Sequence, residues 1–161
     1  MNREQFISHV EGTQGALRRF LVALCCGDSA LADDIAQETY IKAYLSSDSI
    51  RDEARFTAWI YRIAYNTFIN ARRAVRPTER VEAVADEVSG DVADGSFRYQ
   101  ELYNALDRLS GRERTAILLF YLEGYSIKEI AEIIDSSQDA VKQQLSRGRA
   151  HLKDMLSGGT L

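Results

Sequence analysis

Apolar residues in the first third of the chain recur at intervals of three and four, which is the period of an amphipathic helix. In the opening stretch this pattern predicts one helix, or a pair of helices, ending near Gly27. The apolar positions there are Phe6, Val10, Leu17, Phe20, Leu21 and Leu24. A second helix is predicted to begin at Asp28 or Ser29, because a short polar side chain can accept a hydrogen bond from the first helical turn.

The second helix has two chemically different sides. We expect the apolar side to be buried, and it consists of Ile35, Ala36, Tyr40, Ile41, Tyr44 and Leu45. The polar side consists of Asp33, Asp34, Gln37, Glu38 and Lys42. Solvation alone explains such a polar side, so its chemistry names no partner. A polar loop over residues 46–53 leads into a third helix over residues 56–75, which Pro77 ends.

Three Ser-x-x-acid sequences mark helix starts in the second half of the chain. They are Ser110…Glu113, Ser126…Glu129 and Ser136…Asp139. The predicted helices cover residues 99–109, 112–122, 127–134 and 137–156, and Gly124 ends the second of these. The last two are separated by a tight turn, which is helix-turn-helix geometry. Asp135 occupies the turn position that favours glycine, and aspartate tolerates the left-handed conformation required there at some cost.

The segment between the two halves, residues 77–97, contains the only proline and shows no sustained helical period. This segment is predicted to be a linker between two helical domains, residues 1–76 and 98–161. The alternative is a capped helix over residues 79–88 that packs on one of the domains.

Composition favours an all-α fold, since 161 residues include one proline and are 45% hydrophobic. The net charge of −4 is unevenly distributed. Residues 1–76 carry ten basic and nine acidic side chains, residues 77–97 carry one and six, and residues 98–161 carry nine of each. The linker therefore holds the whole deficit, and two acid-free basic stretches, residues 54–78 and 140–153, lie on either side of it.

Several function classes are disfavoured by the same sequence. The apolar runs are far shorter than the ~20 residues of a membrane span, and no signal-peptide pattern follows Met1. Cys25 and Cys26 are adjacent and fit no metal spacing, so they are expected in the core of a cytosolic protein. His9 and His151 are expected to be solvated. We predict no metal, no cofactor and no catalytic site, since nothing resembles a nucleophile with its base.

The final helix is predicted to bind duplex DNA. Its exposed face is expected to present Gln138, Lys142, Gln143, Ser146, Arg147 and Arg149. Glutamine can pair with adenine edges and arginine or lysine with guanine edges or phosphates. The alternative is a helical hairpin whose basic face is solvated and binds no DNA.

The third helix combines aromatic, amide and basic residues. Asn66 and Asn70 lie one turn apart, with Arg62 and Arg73 on nearby faces, and Tyr61 and Tyr65 alternate with them. Amides that pair with bases, arginines that hold phosphates and aromatic rings that stack are what an unpaired strand requires. Trp59, Ile60 and Ile63 are expected to be core residues rather than platforms for base stacking.

Three stretches resemble a known family. The runs ADDIAQETYIKAY (residues 32–44) and FTAWIYRIAYNT (residues 56–67) are similar to regions 2.2 and 2.4 of extracytoplasmic-function sigma factors of the sigma-70 family. The run YSIKEIAEII (residues 125–134), with the following helix, is similar to their region 4.2. The order matches that of the family over nearly the whole chain.

The resemblance implies a promoter-recognition subunit of RNA polymerase. By motif match, Asp34, Gln37 and Glu38 would face the clamp helices of the largest polymerase subunit, and the second domain would reach the flap. The third helix would hold a base flipped from the minus-10 element through Asn66, in a pocket walled by residues 48–55. The residues implied for minus-10 contact are Arg62, Tyr65, Asn66, Asn70 and Arg73. The final helix would bind the minus-35 element, and an anti-sigma factor is an expected partner.

Four positions of the final helix depart from the family pattern. Ser137 replaces the usual proline, Asp139 a glycine, Gln144 an arginine and Gly148 an alanine. Gly148 is expected to weaken the helix by ~1 kcal/mol, and the missing cation at 144 to weaken phosphate contact.

The sequence therefore predicts a cytoplasmic, non-enzymatic, all-α promoter-recognition factor. One alternative is a helix-turn-helix regulator of the response-regulator or quorum-sensing kind, which acts without being a polymerase subunit. Another is a helical adaptor that binds only proteins.

Overall fold

The computed structural model describes residues 1–74 and 96–159, and these residues form seven α-helices and no strand. The all-α prediction is confirmed. In chain order the helices are α1 (Arg3–Leu24), α2 (Ser29–Leu45), α3 (Phe56–Ala74), α4 (Ser96–Asp107), α5 (Gly111–Ile117), α6 (Ile127–Ile133) and α7 (Gln138–Gly159). Two 3₁₀ turns, Ser47–Ser49 and Glu53–Arg55, join α2 to α3. A π-helical turn, Leu118–Leu122, extends α5.

The opening stretch forms one helix rather than two. Asn2 and Gln5 cap α1 reciprocally, and the helix continues through Gly12 and Gly15. It ends where Cys26 and Gly27 adopt left-handed backbone, with φ of 54° and 92°. A side chain at Gly27 would also meet the ring of Tyr103 at 3.0 Å, so glycine permits α4 to approach this corner.

Serine side chains cap helices of the second half as predicted, except that the cap of the last helix lies one residue later than expected. Ser110 accepts from the amide of Glu113, and Ser126 forms a complete capping box with Glu129. The cap of α7 is Ser137, whose hydroxyl accepts from the amide of Ala140 at 3.1 Å. The predicted cap, Ser136, was wrong because its own amide still bonds the carbonyl of Ala131 and closes the turn after α6.

The turn geometry agrees with the sequence. Asp135 has φ of 53°, the left-handed backbone predicted for it, and Gly124, which was predicted to end the preceding helix, has φ of 75°. The α4 helix begins at Ser96, two residues inside the predicted linker. The rest of that linker, and the alternative helix over residues 79–88, lie outside the described residues. The domain boundaries stay a prediction.

Both halves of the chain contribute to one hydrophobic core. In the first half α1, α2 and α3 pack on one another, and in the second half α7 packs on α5 and α6. The halves meet where α6 packs on α3 and the π-helical turn packs on α1. Phe20, Phe68, Leu106, Leu119 and Ile130 are all at most 2% exposed within this core.

Gly148 has a packing role that the sequence analysis did not foresee. A Cβ atom at this buried position would lie 2.8 Å from Cγ1 of Ile117, so the glycine lets α7 approach α5 closely. The lost helix propensity is therefore accompanied by close packing between the two helices.

The His151 side chain is 55% exposed and that of His9 is 31% exposed, and each also faces a glutamate. His9 Nε2 lies 3.2 Å from Glu53, and its ring stacks on Phe56 at 4.7 Å. His151 Nδ1 lies 3.2 Å from Glu113. Within the described ranges, no three His, Cys, Asp or Glu side chains are grouped to hold a metal, and no helix is long and apolar enough to cross a membrane.

Candidate functional site

The predicted polymerase-binding residues lie together on the exposed surface of α2. Asp34, Gln37 and Glu38 are all exposed. Glu38 lies 3.6 Å from the ammonium of Lys42, and that ammonium donates to the hydroxyl of Thr67 on α3 at 3.2 Å. The polar face of α2 is thereby tied to the neighbouring helix through Lys42.

An apolar patch that was predicted to be buried lies beside this polar face. Ile41, Tyr44 and Leu45 are 56%, 51% and 79% exposed. With Gln37 and Tyr40 they line a shallow depression of about 440 Å³. An exposed cluster of large apolar side chains with a polar border is typical of a protein-docking surface.

The prediction for these three residues was wrong because α2 buries a narrower stripe. Its buried residues are Ala32, Ile35, Thr39 and Ala43. Three of these four are small, so α1 and α3 approach closely along the stripe and the larger apolar residues beside it are left outside. The signal was present in the sequence as small residues at helical spacing.

The predicted minus-10 residues on α3 divide into two environments. Arg62, Asn66, Asn70 and Arg73 are exposed, whereas Tyr65 is 6% exposed. Burial raises the pKa of Tyr65, although the neighbouring Arg112 acts in the opposite direction. In this conformation the Tyr65 ring is therefore not available for base stacking.

A groove of about 880 Å³ separates the start of α3 from the helix-turn-helix. Its first wall includes Trp59, Arg62 and part of the 48–55 loop, and its second wall includes Ser136 and Gln138. The guanidinium of Arg62 lies 3.9 Å from the carboxylate of Asp135 at the turn. The loop is therefore next to Arg62 as expected, but Asn66 and Asn70 lie farther along α3 and do not line this groove.

The predicted duplex-binding residues of α7 are all exposed. They are Gln138, Lys142, Gln143, Ser146, Arg147 and Arg149. The opposite side of the helix is anchored by Val141 and Leu145, at 0% and 2% exposure, against the buried Ile130 and Ile134 of the preceding helix and turn. Arg149 donates to the hydroxyl of Tyr121 at 3.0 Å. The helix-turn-helix is thus a rigid support for this cationic face.

A buried polar network between the two halves was not predicted. The hydroxyl of Tyr61 on α3 donates to Glu123 at 2.5 Å, and Arg19 on α1 donates to the other carboxylate oxygen at 3.1 Å. The side chain of Glu123 is 3% exposed. Tyr125 packs edge-on against the ring of Tyr61 at 5.4 Å.

Burial raises the pKa of both phenols in this network, those of Tyr61 and Tyr125. Desolvation raises the pKa of Tyr61, and the adjacent Glu123 carboxylate raises it further because a phenolate there would face a negative charge. Desolvation, together with the negative charges of Glu123 and Glu129, raises the pKa of Tyr125 to about 12. Both phenols are therefore neutral at physiological pH, and Tyr61 is held as a hydrogen-bond donor.

Arg114 is a second polar connection between the halves. Its side chain is 3% exposed and donates to the carbonyls of Leu24 on α1 and of Leu106 on α4, both at 2.8 Å. It also reaches the carbonyls of Asp107 and Leu109 at 3.2 and 3.4 Å. A single guanidinium thus satisfies carbonyls at the ends of two helices.

Comparison with known proteins gives matches over both halves of the chain. The family model for Sigma-70 region 2 matches residues 9–78, and the model for Sigma-70, region 4 matches residues 99–152. The chain is 35% identical over 143 residues to the ECF RNA polymerase sigma factor SigW of Bacillus subtilis, covering 78% of this chain and 75% of that protein. It is 32% identical over 138 residues to the ECF RNA polymerase sigma-E factor of Haemophilus influenzae, covering 76% and 73%.

Solved structures give the same result. The sigma factor RpoE of Bartonella quintana, in complex with the anti-sigma factor NepR, superposes with a TM-score of 0.76 at 28% identity, over 94% of this chain and 96% of that chain. CnrH, in complex with the cytosolic domain of CnrY, superposes with a TM-score of 0.71 at 26% identity, over 98% and 90%.

Proposed function

We propose a separate binding role for each of three helices of this chain, which belongs to the extracytoplasmic-function group of the sigma-70 family. It is an RNA polymerase sigma factor that directs promoter-specific transcription initiation. In our proposal α2 binds the polymerase core, α3 contacts the minus-10 element and α7 contacts the minus-35 element. The observation that carries it is that the exposed residues of α2, α3 and α7 occur in the order of regions 2 and 4. The regulator alternative is not favoured, because such a protein has no need of region 2.

The α2 surface suits a large protein partner because it combines two kinds of contact. Asp34, Gln37 and Glu38 supply exposed polar groups, and the adjacent patch of Ile41, Tyr44 and Leu45 supplies apolar area. Interfaces of this kind bury an apolar centre within a polar rim. We propose the clamp helices of the largest polymerase subunit as the target.

Replacing Asp34 and Gln37 together with alanine should weaken binding to polymerase core by about tenfold or more. Both side chains are exposed, so helicity and the melting temperature should change little. A titration of labelled protein with core polymerase measures the effect. The matched control is the pair Glu11→Ala and Gln14→Ala, which also removes one carboxylate and one amide three residues apart, from exposed positions of α1. Equal core affinities for both double variants would contradict the assignment.

The exposed face of α7 suits duplex DNA. Lys142, Arg147 and Arg149 place three cations on the surface of one helix, beside the amides of Gln138 and Gln143. Cations attract phosphates irrespective of sequence, and the amides can pair with base edges in the major groove. We propose the minus-35 element as their target.

Replacing Lys142 and Arg147 together with alanine should reduce duplex affinity and flatten its dependence on salt. Each lost phosphate contact lowers the slope of log affinity against log salt concentration by about 0.9. The control is the pair Arg3→Ala and Arg108→Ala, which removes one exposed cation from α1 and one from the turn after α4. The affinity of each holoenzyme for a minus-35 duplex is measured at several salt concentrations. Identical slopes of log affinity against log salt concentration for the two double variants would show that α7 is not the helix that binds the duplex.

The proposal extends to partners and compartment. Both superposed structures are complexes, one of the sigma factor RpoE with the anti-sigma factor NepR and the other of CnrH with the cytosolic domain of CnrY. We propose that an anti-sigma factor binds this chain as well, and that the polymerase flap receives its second half. As a regulatory subunit it would act in the cytoplasm and supply no catalytic group.

A further inference from the structure

We infer that Tyr121 is a positioning residue for minus-35 binding, because its hydroxyl holds the guanidinium of Arg149 ready to contact a phosphate of the duplex. Tyr121 lies outside the final helix, in the π-helical turn that extends α5. The inference rests on the proposed minus-35 role of α7 and adds to it a residue from another segment of the chain.

The ring of Tyr121 is exposed but supported. It is 57% exposed, and it packs edge-on against the ring of Phe120 with 5.0 Å between the ring centroids. Phe120 itself packs against the hydrophobic core. The backbone of the turn is anchored by the buried side chains of Leu118 and Leu119. The hydroxyl is therefore presented to solvent from a fixed base.

The hydroxyl of Tyr121 meets Arg149 because α7 lies close to α5. Gly148 directly precedes Arg149, and a Cβ atom there would lie 2.8 Å from Cγ1 of Ile117. With glycine at this position, Nη1 of Arg149 donates to the Tyr121 hydroxyl at 3.0 Å. The glycine that departs from the family pattern thus supports the pairing of the two side chains.

The hydrogen bond leaves the binding edge of the guanidinium free. An arginine has five N–H donors in a planar fork, and Tyr121 accepts from one of them. The edge formed by Nε and Nη2 can still donate two parallel hydrogen bonds to a phosphate. Fixing the rotamers of a long arginine side chain costs binding free energy, and a partner in the unbound protein reduces that cost.

The position of Arg149 along α7 favours a phosphate over a base edge. Arg149 follows Gln138 by eleven residues, which is about three helical turns, so the two lie on the same side of the helix. They are separated by about 16 Å along the axis, whereas the major groove is about 12 Å wide. Recognition helices contact base edges through their first residues. With Gln138 at the bases, Arg149 reaches the backbone at the edge of the groove.

Tyr121→Phe removes the hydroxyl alone and should lower the affinity of holoenzyme for the duplex by about three- to tenfold. The hydroxyl is neutral, so the salt dependence should stay that of the wild type, whereas Arg149→Ala should lower the slope by about 0.9. In the Arg149→Ala background, Tyr121→Phe should have no further effect, because the hydroxyl acts through the guanidinium. The matched control is Tyr99→Phe, which removes the hydroxyl of another exposed tyrosine in the second half and should keep wild-type affinity.

The probe is a labelled duplex that carries the minus-35 element of a start site mapped with the purified holoenzyme, titrated at several salt concentrations. Equal affinities of the wild type and Tyr121→Phe would overturn the inference. An undiminished effect of Tyr121→Phe in the Arg149→Ala background would also overturn it, since the tyrosine would then act on the DNA directly. If the Lys142 and Arg147 double variant loses affinity while Tyr121→Phe does not, α7 keeps its role and only the positioning fails. If neither loses affinity, both fail.

Discussion

Replacing Arg114 with alanine is expected to lower the free energy of unfolding by about 3–5 kcal/mol, which is the cost of breaking a buried charged network by removing one partner. The guanidinium bonds four backbone carbonyls, and two of them, those of Leu24 and Leu106, lie at 2.8 Å. Its removal leaves buried acceptors without donors, and each such group costs about 1–3 kcal/mol. Because Leu24 lies in α1 and Leu106 in α4, both halves should lose stability.

Urea unfolding followed by circular dichroism measures this effect. Arg108→Ala is the control, since it removes the same side chain from an exposed position close in sequence, and should change stability by no more than about 0.5 kcal/mol. Similar midpoints for the two variants would show that the Arg114 contacts contribute no stability in solution.

Replacing Asn66 with alanine is expected to lower initiation on a duplex promoter by about 10- to 100-fold, corresponding to about 1–3 kcal/mol for lost pairing with one base. Asn66 is exposed on α3, so the variant should fold and bind core polymerase normally. Extruding a base costs a few kcal/mol, which contacts in a pocket must repay. The deficit should therefore appear in open-complex formation.

Permanganate footprinting of the melted region measures open complexes directly. Asn104→Ala is the matched control, because it removes an exposed amide from α4 in the other half. A pre-melted template should rescue Asn66→Ala at least partly only if Asn66 contributes to strand opening as well as to binding the strand. Full activity of Asn66→Ala on both templates would place the pocket elsewhere.

Local features of the fold were predictable from the sequence. Helix starts followed short polar caps such as Asp28 and Ser126, and the left-handed turns fell at Gly124 and Asp135. These features depend on interactions within about four residues, which a single sequence displays. The exposed face of α7 was predictable for the same reason, because Val141 and Leu145 mark its buried side.

Features that depend on contacts between distant segments were not predictable. Arg114 was counted as one cation among many, and its burial follows from contacts with α1 that lie 90 residues away along the chain. Glu123 precedes a helix-ending glycine and has no local sign of burial. Ile41, Tyr44 and Leu45 lie on the apolar side of α2 but stay exposed, because the small Ala32, Thr39 and Ala43 form the contact with the neighbouring helices.

The most direct test of the account is initiation by purified protein added to polymerase core on a genomic template, with transcript start sites mapped by sequencing. The account predicts discrete start sites that depend on the protein, that weaken with Asn66→Ala, and that share sequence elements at the minus-10 and minus-35 positions. Core polymerase that starts at the same sites with and without the protein would contradict it.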